Sequence, residues 1–485
     1  MDYIIKGGTV CLEGEHFQAD ITLRDGKIWS LGCIGHKGSE EVIHADGMYV
    51  CPGGIDPHTH MDLQQSPKYR SCDDFYSGGV AAACGGTTTI IDHMAFGPEG
   101  CSLRYPFEQY KKLAETCPVD YSFHGVFQHV DESILQELAE LIEEGFPSFK
   151  AYTTYGYPMG ETEMMKLFPV LKAHGGLLTV HAESDGITNS LRQSLTKDEL
   201  APIGQARTRP NAAEASAVGQ VLATARACGD APVYIVHTSA HESVAQLRLA
   251  RQEGQRNVYS ETCPQYLLLR EDKFIDGGPL EGIKYMMAPP LRQKEDNEAL
   301  WSALQDGTVQ VVATDHCPFT IEEKQAHVAD FRGCPGGVSG VEERMPLLFS
   351  KGVVKGRLSL SQFVRLTSTN AAKIFGLYPK KGTLLPGSDA DIVIIDPSQQ
   401  RTIGKDNLHT TCGYSPYEGM TTDCTISHVF LRGQLIAKNN VFLGQKGDGQ
   451  LLRRKRTVPY ETSLDYKFIS IISCLVFSLA GSSWL

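Results

Sequence analysis

Hydrophobic and polar positions alternate in short runs near the start of the chain, at Tyr3 to Val10, Asp20 to Leu23, Lys27 to Leu31 and Glu41 to His44. Turn pairs such as Asp25-Gly26 and Asp46-Gly47 separate them. Alternation sends successive side chains to opposite faces of an extended chain, so each run predicts a half-buried strand. The same texture returns at Asp389 to Asp396 (DADIVIID), Ile426 to Leu431 and Gln434 to Lys438, after the turn-rich Lys381 to Gly387. Both chain ends are therefore expected to build one small β domain, over 1–51 and 380–462.

The middle of the chain follows a different rule. Short apolar runs without alternation recur, each followed by a stretch of helical character, and such a series predicts a parallel sheet covered by helices. Eight runs qualify: Gly54 to His60, Thr87 to His93, Tyr121 to Val126, Ser148 to Thr153, Leu177 to His181, Val233 to His237, Val258 to Thr262 and Val309 to Asp315. Among the helices, Ser133 to Glu144 carries Ile134, Leu135, Leu138, Leu141 and Ile142 on one face, and Ala213 to Ala227 is a second. The fold class is α/β, a (β/α)8 barrel over 52–379.

Composition narrows the function. Among 485 residues, 41% are apolar and 21% charged, which suits a globular enzyme and not a disordered chain. A formal net charge of -12 disfavours nucleic acid and anionic membrane, both of which need a basic footprint, and leaves a small molecule as the expected partner. Fourteen Cys without paired C-x-x-C spacing, behind an N-terminus that reads as a strand, point to reduced thiols and a cytoplasmic protein. The apolar stretch Phe468 to Gly481, within a tail over 463–485, is shorter than the about 18 residues that a membrane-spanning helix needs. It is expected to be a docked oligomer-interface tail or an altered reading-frame end rather than a tail anchor.

Several strand ends carry residues that bind metal, at the face where a barrel of this kind keeps its chemistry. A lone strand-end histidine is more often structural; a set is not. His58 and His60 stand two apart on the first barrel strand, so both reach one side and one metal. His181 and His237 end two β-branched strands and offer nitrogen ligands to a second metal. Asp315, in VVATDH, brings a carboxylate that can bind metal and move a proton, a better fit here than a helix N-cap. Lys150, in SFK, is the remaining polar strand-end side chain. As an ammonium it would repel two cations and would instead serve as a buried ion-pair partner. As a carbamate, formed with carbon dioxide, it becomes a two-oxygen bridge between metals about 3.5 to 4 Å apart.

The segments PGGIDPHTH (52 to 60), RSCDDFYSG (70 to 78), AAACGGTTTIIDHM (81 to 94), YSFHGV (121 to 126), SFKAYTTY (148 to 155), YIVHTS (234 to 239), ETCPQYLLL (261 to 269), APPLR (288 to 292) and VVATDHC (311 to 317) carry a family resemblance. From Tyr3 to about Pro459 the chain resembles the dihydropyrimidinase and D-hydantoinase branch of the amidohydrolase superfamily, nearest to bacterial D-phenylhydantoinases. The resemblance implies a distorted (β/α)8 TIM barrel beside a small β-sandwich domain, and hydrolysis of the ring amide of D-5-monosubstituted hydantoins to N-carbamoyl-D-amino acids. It implies that His58, His60 and Asp315 hold one divalent ion, zinc in relatives, that His181 and His237 hold another, and that carboxylated Lys150 bridges them.

It also implies that Tyr155 hydrogen-bonds the carbonyl oxygen as charge develops, and that backbone at Ala288 and Gly336 fixes the ring's amide edge. Those two positions depart from the family's usual Ser and Asn. Loops near Met61 to Cys72, His93 to Gly100 and Thr153 to Glu163 would receive the exocyclic substituent, and a homotetramer is the expected assembly. Dihydropyrimidinase action on dihydrouracil or dihydrothymine is the rival within enzymes, with allantoinase further off. Dihydroorotase fits poorly, because Met61-Asp62 follow the histidine pair where that family carries an Arg. A non-catalytic tetrameric scaffold of the same fold is the rival from another class.

Overall fold

In a computed structural model the described residues are 2–32 and 40–456. The tail at 463–485, with its apolar stretch Phe468 to Gly481, lies outside them.

The chain opens with β1 (Tyr3–Cys11), β2 (His16–Arg24), β3 (Lys27–Gly32), β4 (Glu41–His44) and β5 (Tyr49–Pro52). Eight barrel strands follow: β6 (Gly54–Thr59), β7 (Thr87–His93), β8 (Asp120–Val126), β9 (Ser148–Tyr152), β10 (Leu177–His181), β11 (Val233–Ile235), β12 (Val258–Thr262) and β13 (Val311–Val312). They pair in parallel in chain order from β6 to β13. Past the end of β13 the chain returns to the first strand: Asp315 N–H donates to His58 O at 2.9 Å and His60 N–H to His316 O at 2.9 Å. These bonds close the barrel at the C-terminal ends of its strands.

Both faces of the barrel strands are buried, which explains their unbroken apolar runs. Ile55, Ile91, Leu177, Tyr234, Val311 and Ala313 point inward and pack with Phe375 and Leu452, which plug the barrel. Ile90, Phe149, Leu178, Val180, Ile235 and Val312 belong to the outer cluster shared with the helices.

The strands β14 (Ile392–Asp396), a short β15–β16 hairpin (Arg401–Thr402, Thr421–Thr422), β17 (Thr425–Leu431), β18 (Gln434–Lys438) and β19 (Val441–Phe442) come last. All but the hairpin join β1 to β5 in one nine-stranded mixed sheet, in which β14 pairs antiparallel with both β5 and β17. Its register splits the apolar run of β14: Ile392 and Ile394 enter the sheet's own core with Ile5, Ile21, Val50 and Phe430, whereas Val393 and Ile395 pack into the barrel-side cluster. This one mixed sheet thus has a core of its own on one side and a face toward the barrel-side cluster on the other.

The two units are also tied by charge. The buried Lys381 ammonium meets Asp120 of β8 at 2.6 Å and Asp391 at 2.5 Å, with Asp389 at 3.1 Å.

Candidate functional site

The barrel strands and the residues just past them deliver the candidate ligands, although Lys150, expected at a strand end, lies in the middle of its strand. His58 lies inside β6, and His60 follows it by two residues, so both rings face the barrel mouth. Their Nε2 atoms each stand 3.1 Å from the same Asp315 Oδ1. Asp315 reaches them because its own backbone turns left-handed, at φ 55°, once β13 has ended. His181 closes β10, and His237 follows β11 at φ 36°. His181 Nδ1 faces His237 Nε2 at 2.8 Å. Lys150 sits mid-strand in β9, 1% exposed, with Nζ 3.5 Å from His58 Nε2.

The six residues therefore converge on one floor. His58, His60 and Asp315 bring their ligand atoms within 4.8 Å of one another, and His60 Nδ1 is buried without a hydrogen-bond partner. Facing imidazole nitrogens in a buried cluster fit a cation better than they fit each other, since only one proton can sit between two ring nitrogens. The donor set of imidazoles, one carboxylate and one amine able to become a carbamate suits two divalent ions.

Electrostatics agree. Burial lowers His60 to about 4, so its ring is neutral near pH 7 and keeps one nitrogen lone pair for a ligand. Burial pushes Lys150 down to about 8, against the pull of the Asp315 and Glu261 carboxylates. Burial works against ionising Asp315, but the His58 and His60 rings beside it hold its carboxyl well below the usual range.

Two carboxylates that the sequence reading did not assign orient the rings. Glu261, on β12, bonds His58 Nδ1, accepts from Tyr234 OH at 2.8 Å and accepts His237 N–H at 3.1 Å. Glu183 takes His181 Nε2 at 2.7 Å and pairs with the buried Arg209. Burial opposes its charge, yet Arg209 and His181 bring Glu183 to about 2. A carboxylate on the far nitrogen fixes which nitrogen points inward, as metal-bound histidines require. The spacing was visible, since Glu183 stands two residues beyond His181 and Glu261 opens the ETCPQYLLL segment.

Above this floor lies a cavity of about 580 Å³. Tyr155 stands at its side, 44% exposed, at φ 72° and with its ring 5.0 Å from that of His181. Phe96 packs against Tyr152 and Tyr157 at 5.6 and 4.9 Å between ring centres, and all three line the cavity. The wall includes Ala288 and Gly336. At Gly336 the amide N–H donates to Gln65 Oε1 at 3.1 Å and the carbonyl accepts from Gln65 Nε2 at 2.7 Å, so its polar edge is engaged from the Met61 to Cys72 loop. A Cβ at 336 would meet only Met287 Cα, at 3.9 Å, so nothing here requires glycine.

Residues 49–436 match the model of the amidohydrolase family. The chain belongs to that family. It is similar to a D-phenylhydantoinase of Escherichia coli O1:K1 / APEC, with 45% identity over 463 residues, 95% of this chain and 99% of that protein. Among solved structures, dihydropyrimidinase from Brevibacillus agri NCHU1002 matches with a TM-score of 0.91 and 38% identity, covering 94% of this chain and 100% of that one. L-hydantoinase (dihydropyrimidinase) from Arthrobacter aurescens matches with a TM-score of 0.84 and 29% identity, covering 93% and 100%. For a member of the amidohydrolase family, metal dependence is the rule, and the His/Asp cluster is where this chain can meet it. Among the described residues no helix is long and apolar enough to cross a membrane.

Proposed function

We propose that the protein is a metal-dependent cyclic amidohydrolase that opens D-5-monosubstituted hydantoins to N-carbamoyl-D-amino acids. The observation that carries this is the convergence of four imidazoles, Asp315 and buried Lys150 beneath a cavity with an aromatic side wall. His58, His60 and Asp315 would hold one ion and His181 and His237 the other, both zinc, with carboxylated Lys150 between them. Such ions supply Lewis acidity, bringing the pKa of water near 7 and polarising a carbonyl oxygen.

The rest falls to the chain itself. Asp315 takes the proton of the attacking water and returns it to the ring nitrogen as the amide bond breaks. The Tyr155 hydroxyl donates to the carbonyl oxygen as it gains charge, a contribution of about 3 kcal/mol for one well-placed donor. Backbone at Ala288 and Gly336 holds the ring's amide edge, with Gln65 giving way at Gly336. Phe96, Tyr152 and Tyr157 favour an aryl substituent, which an unsubstituted dihydropyrimidine would leave uncontacted.

The described cysteines are all unbridged thiols, and with the acidic net charge they support a cytoplasmic protein. A homotetramer stays part of this reading on the sequence resemblance alone. Turnover of D- and L-5-phenylhydantoin and dihydrouracil by metal-loaded protein prepared with bicarbonate tests it. A preference for D-phenylhydantoin is expected; preference for dihydrouracil would make it a dihydropyrimidinase, and no turnover of any would overturn the enzyme reading.

A further inference from the structure

The cavity wall includes two further segments, one contributing Met286 and Ala288 and the other Gly336 and Gly337. Neither belongs to a strand of the barrel, so something else must fix them. Gly337 N–H donates to Met286 O at 2.9 Å, which joins the segments once. Gln65 bonds both polar atoms of Gly336, Gln205 Nε2 donates to Met287 O at 2.7 Å, and one further side chain spans both segments. Lys324, 0% exposed, donates from Nζ to Gly337 O at 2.6 Å, to Met286 O at 2.9 Å and to Lys284 O at 3.0 Å. All three ammonium protons are thereby used.

The placement of Lys324 is built, not incidental. It lies on a short helix, Ile321–Gln325, whose start is capped by the Thr320 and Glu323 side chains. The Tyr414 ring lies 5.7 Å from Nζ, and Tyr414 OH also donates to Lys284 O at 3.3 Å. Among the described residues no carboxylate pairs with this ammonium. Burial lowers it to about 8, against the pull of the sulfurs of Cys334, Cys412, Cys317 and Cys72, so folding carries a charge here that is met by carbonyls, an aromatic face and those sulfurs and not by a carboxylate. A hydrophobic side chain would fill the space without that cost. The approach is also close: a Cβ at Gly337, where φ is 147°, would stand 2.1 Å from Cys317 O. The wall is therefore locked between the Cys317 backbone on one side and Lys324 on the other.

We propose that Lys324 is a positioning residue for ring recognition, holding the Met286 to Ala288 and Gly336 to Gly337 segments at the spacing a cyclic amide needs between them. This rests on the cyclic-amide reading above. It assigns Lys324 to substrate binding, and it separates that task from the metal floor, which Lys324 does not touch.

Kinetics and backbone exchange together test it, using Lys324→Met in metal-loaded protein with D-5-phenylhydantoin and with unsubstituted hydantoin. Expected is a rise in KM of about tenfold for both substrates, the equivalent of one hydrogen bond to the ring. kcat should stay within about twofold and metal content should be unchanged. Amide exchange should quicken at 284–288 and 334–338 and not in the barrel strands. Lys324→Arg, which keeps the donors, should recover much of the wild-type KM. Wild-type KM in the Met variant overturns the proposal, as does a loss of kcat together with metal. Where the Met variant does not fold, Lys324→Gln is read in its place, and an unaltered KM there is equally fatal. A wild-type protein that opens no cyclic amide sinks the activity reading, while exchange at the two segments still decides whether Lys324 holds them.

Discussion

Tyr155 occupies a left-handed backbone conformation in which a side chain with a Cβ is strained by about 1 kcal/mol or more, and such strain collects where a side chain must be aimed. The aim here is along the cavity wall toward His181. Tyr155→Phe keeps the ring and removes the donor, so kcat should fall by about 10²-fold with metal content unchanged. Unaltered turnover would remove the oxyanion role. Glu183 acts one step further out, through His181. Glu183→Gln keeps the size but removes the charge that fixes the imidazole, and a competing chelator should then strip metal about 10- to 100-fold more readily. Wild-type metal retention in that variant would make the Glu183–Arg209 pair structural.

At the scale of elements, helix Glu132–Glu143 shows a legible pattern becoming structure: Ile134, Leu138, Leu141 and Ile142 are buried, and Asp131 accepts Ile134 N–H at the start. Asp131→Ala should lower the unfolding free energy by about 1 kcal/mol, read as a shifted denaturant midpoint at constant slope. The strands that could be read were those with long apolar runs, and β7, β10 and β12 occupy the ranges the pattern gives. Four others are shorter than their runs, β6 and β9 by one residue each. β13 keeps only Val311 and Val312 of Val309 to Asp315, because the chain must leave the ladder to turn Asp315 inward. β11 stops before His237 for the same reason. β5 has no polar alternation to betray it, since it is buried between β1 and β14. In the site, strand-end ligands were legible from residue type and position. Glu261 and Lys324 were not, because their partners lie far away in sequence or are backbone carbonyls that no side-chain pattern records, whereas Glu183 stands two residues from His181, a spacing that assigns no role until the fold brings the two side chains together.

At the scale of the molecule, the joints between barrel and sheet are charged and buried, which makes stability depend on pH. Glu343, buried beside Glu342 and accepting from Ser415 Oγ at 2.7 Å, is raised by burial to about 7. The folded protein thus holds a proton that the unfolded chain releases near 4.5, and stability should fall as pH rises from about 4.5 to 7, by up to about 3 kcal/mol for this group. Glu343→Gln keeps a neutral side chain there at every pH. It should melt above wild type at pH 8 and level with it at pH 4; a constant difference at both would assign the effect to packing. We propose the division of the chain into a small β domain over 1–51 and 380–462 and a barrel over 52–379 on the same grounds, with the added observation that 450–455 runs along the barrel, where Leu452 N–H bonds Tyr121 O at 2.7 Å and Arg454 N–H bonds Gly145 O at 2.8 Å.

The central claim is that the pocket floor is a two-metal site which Lys150 completes, and counting metal tests it most directly. Wild type and Lys150→Ala, each purified with zinc and bicarbonate, should differ in zinc per chain and in activity together. The account predicts about two ions in wild type and fewer than one in the variant, with activity partly restored by short carboxylic acids that stand in for the carbamate. Two ions and full turnover in Lys150→Ala, or turnover by wild type stripped of metal, would contradict it.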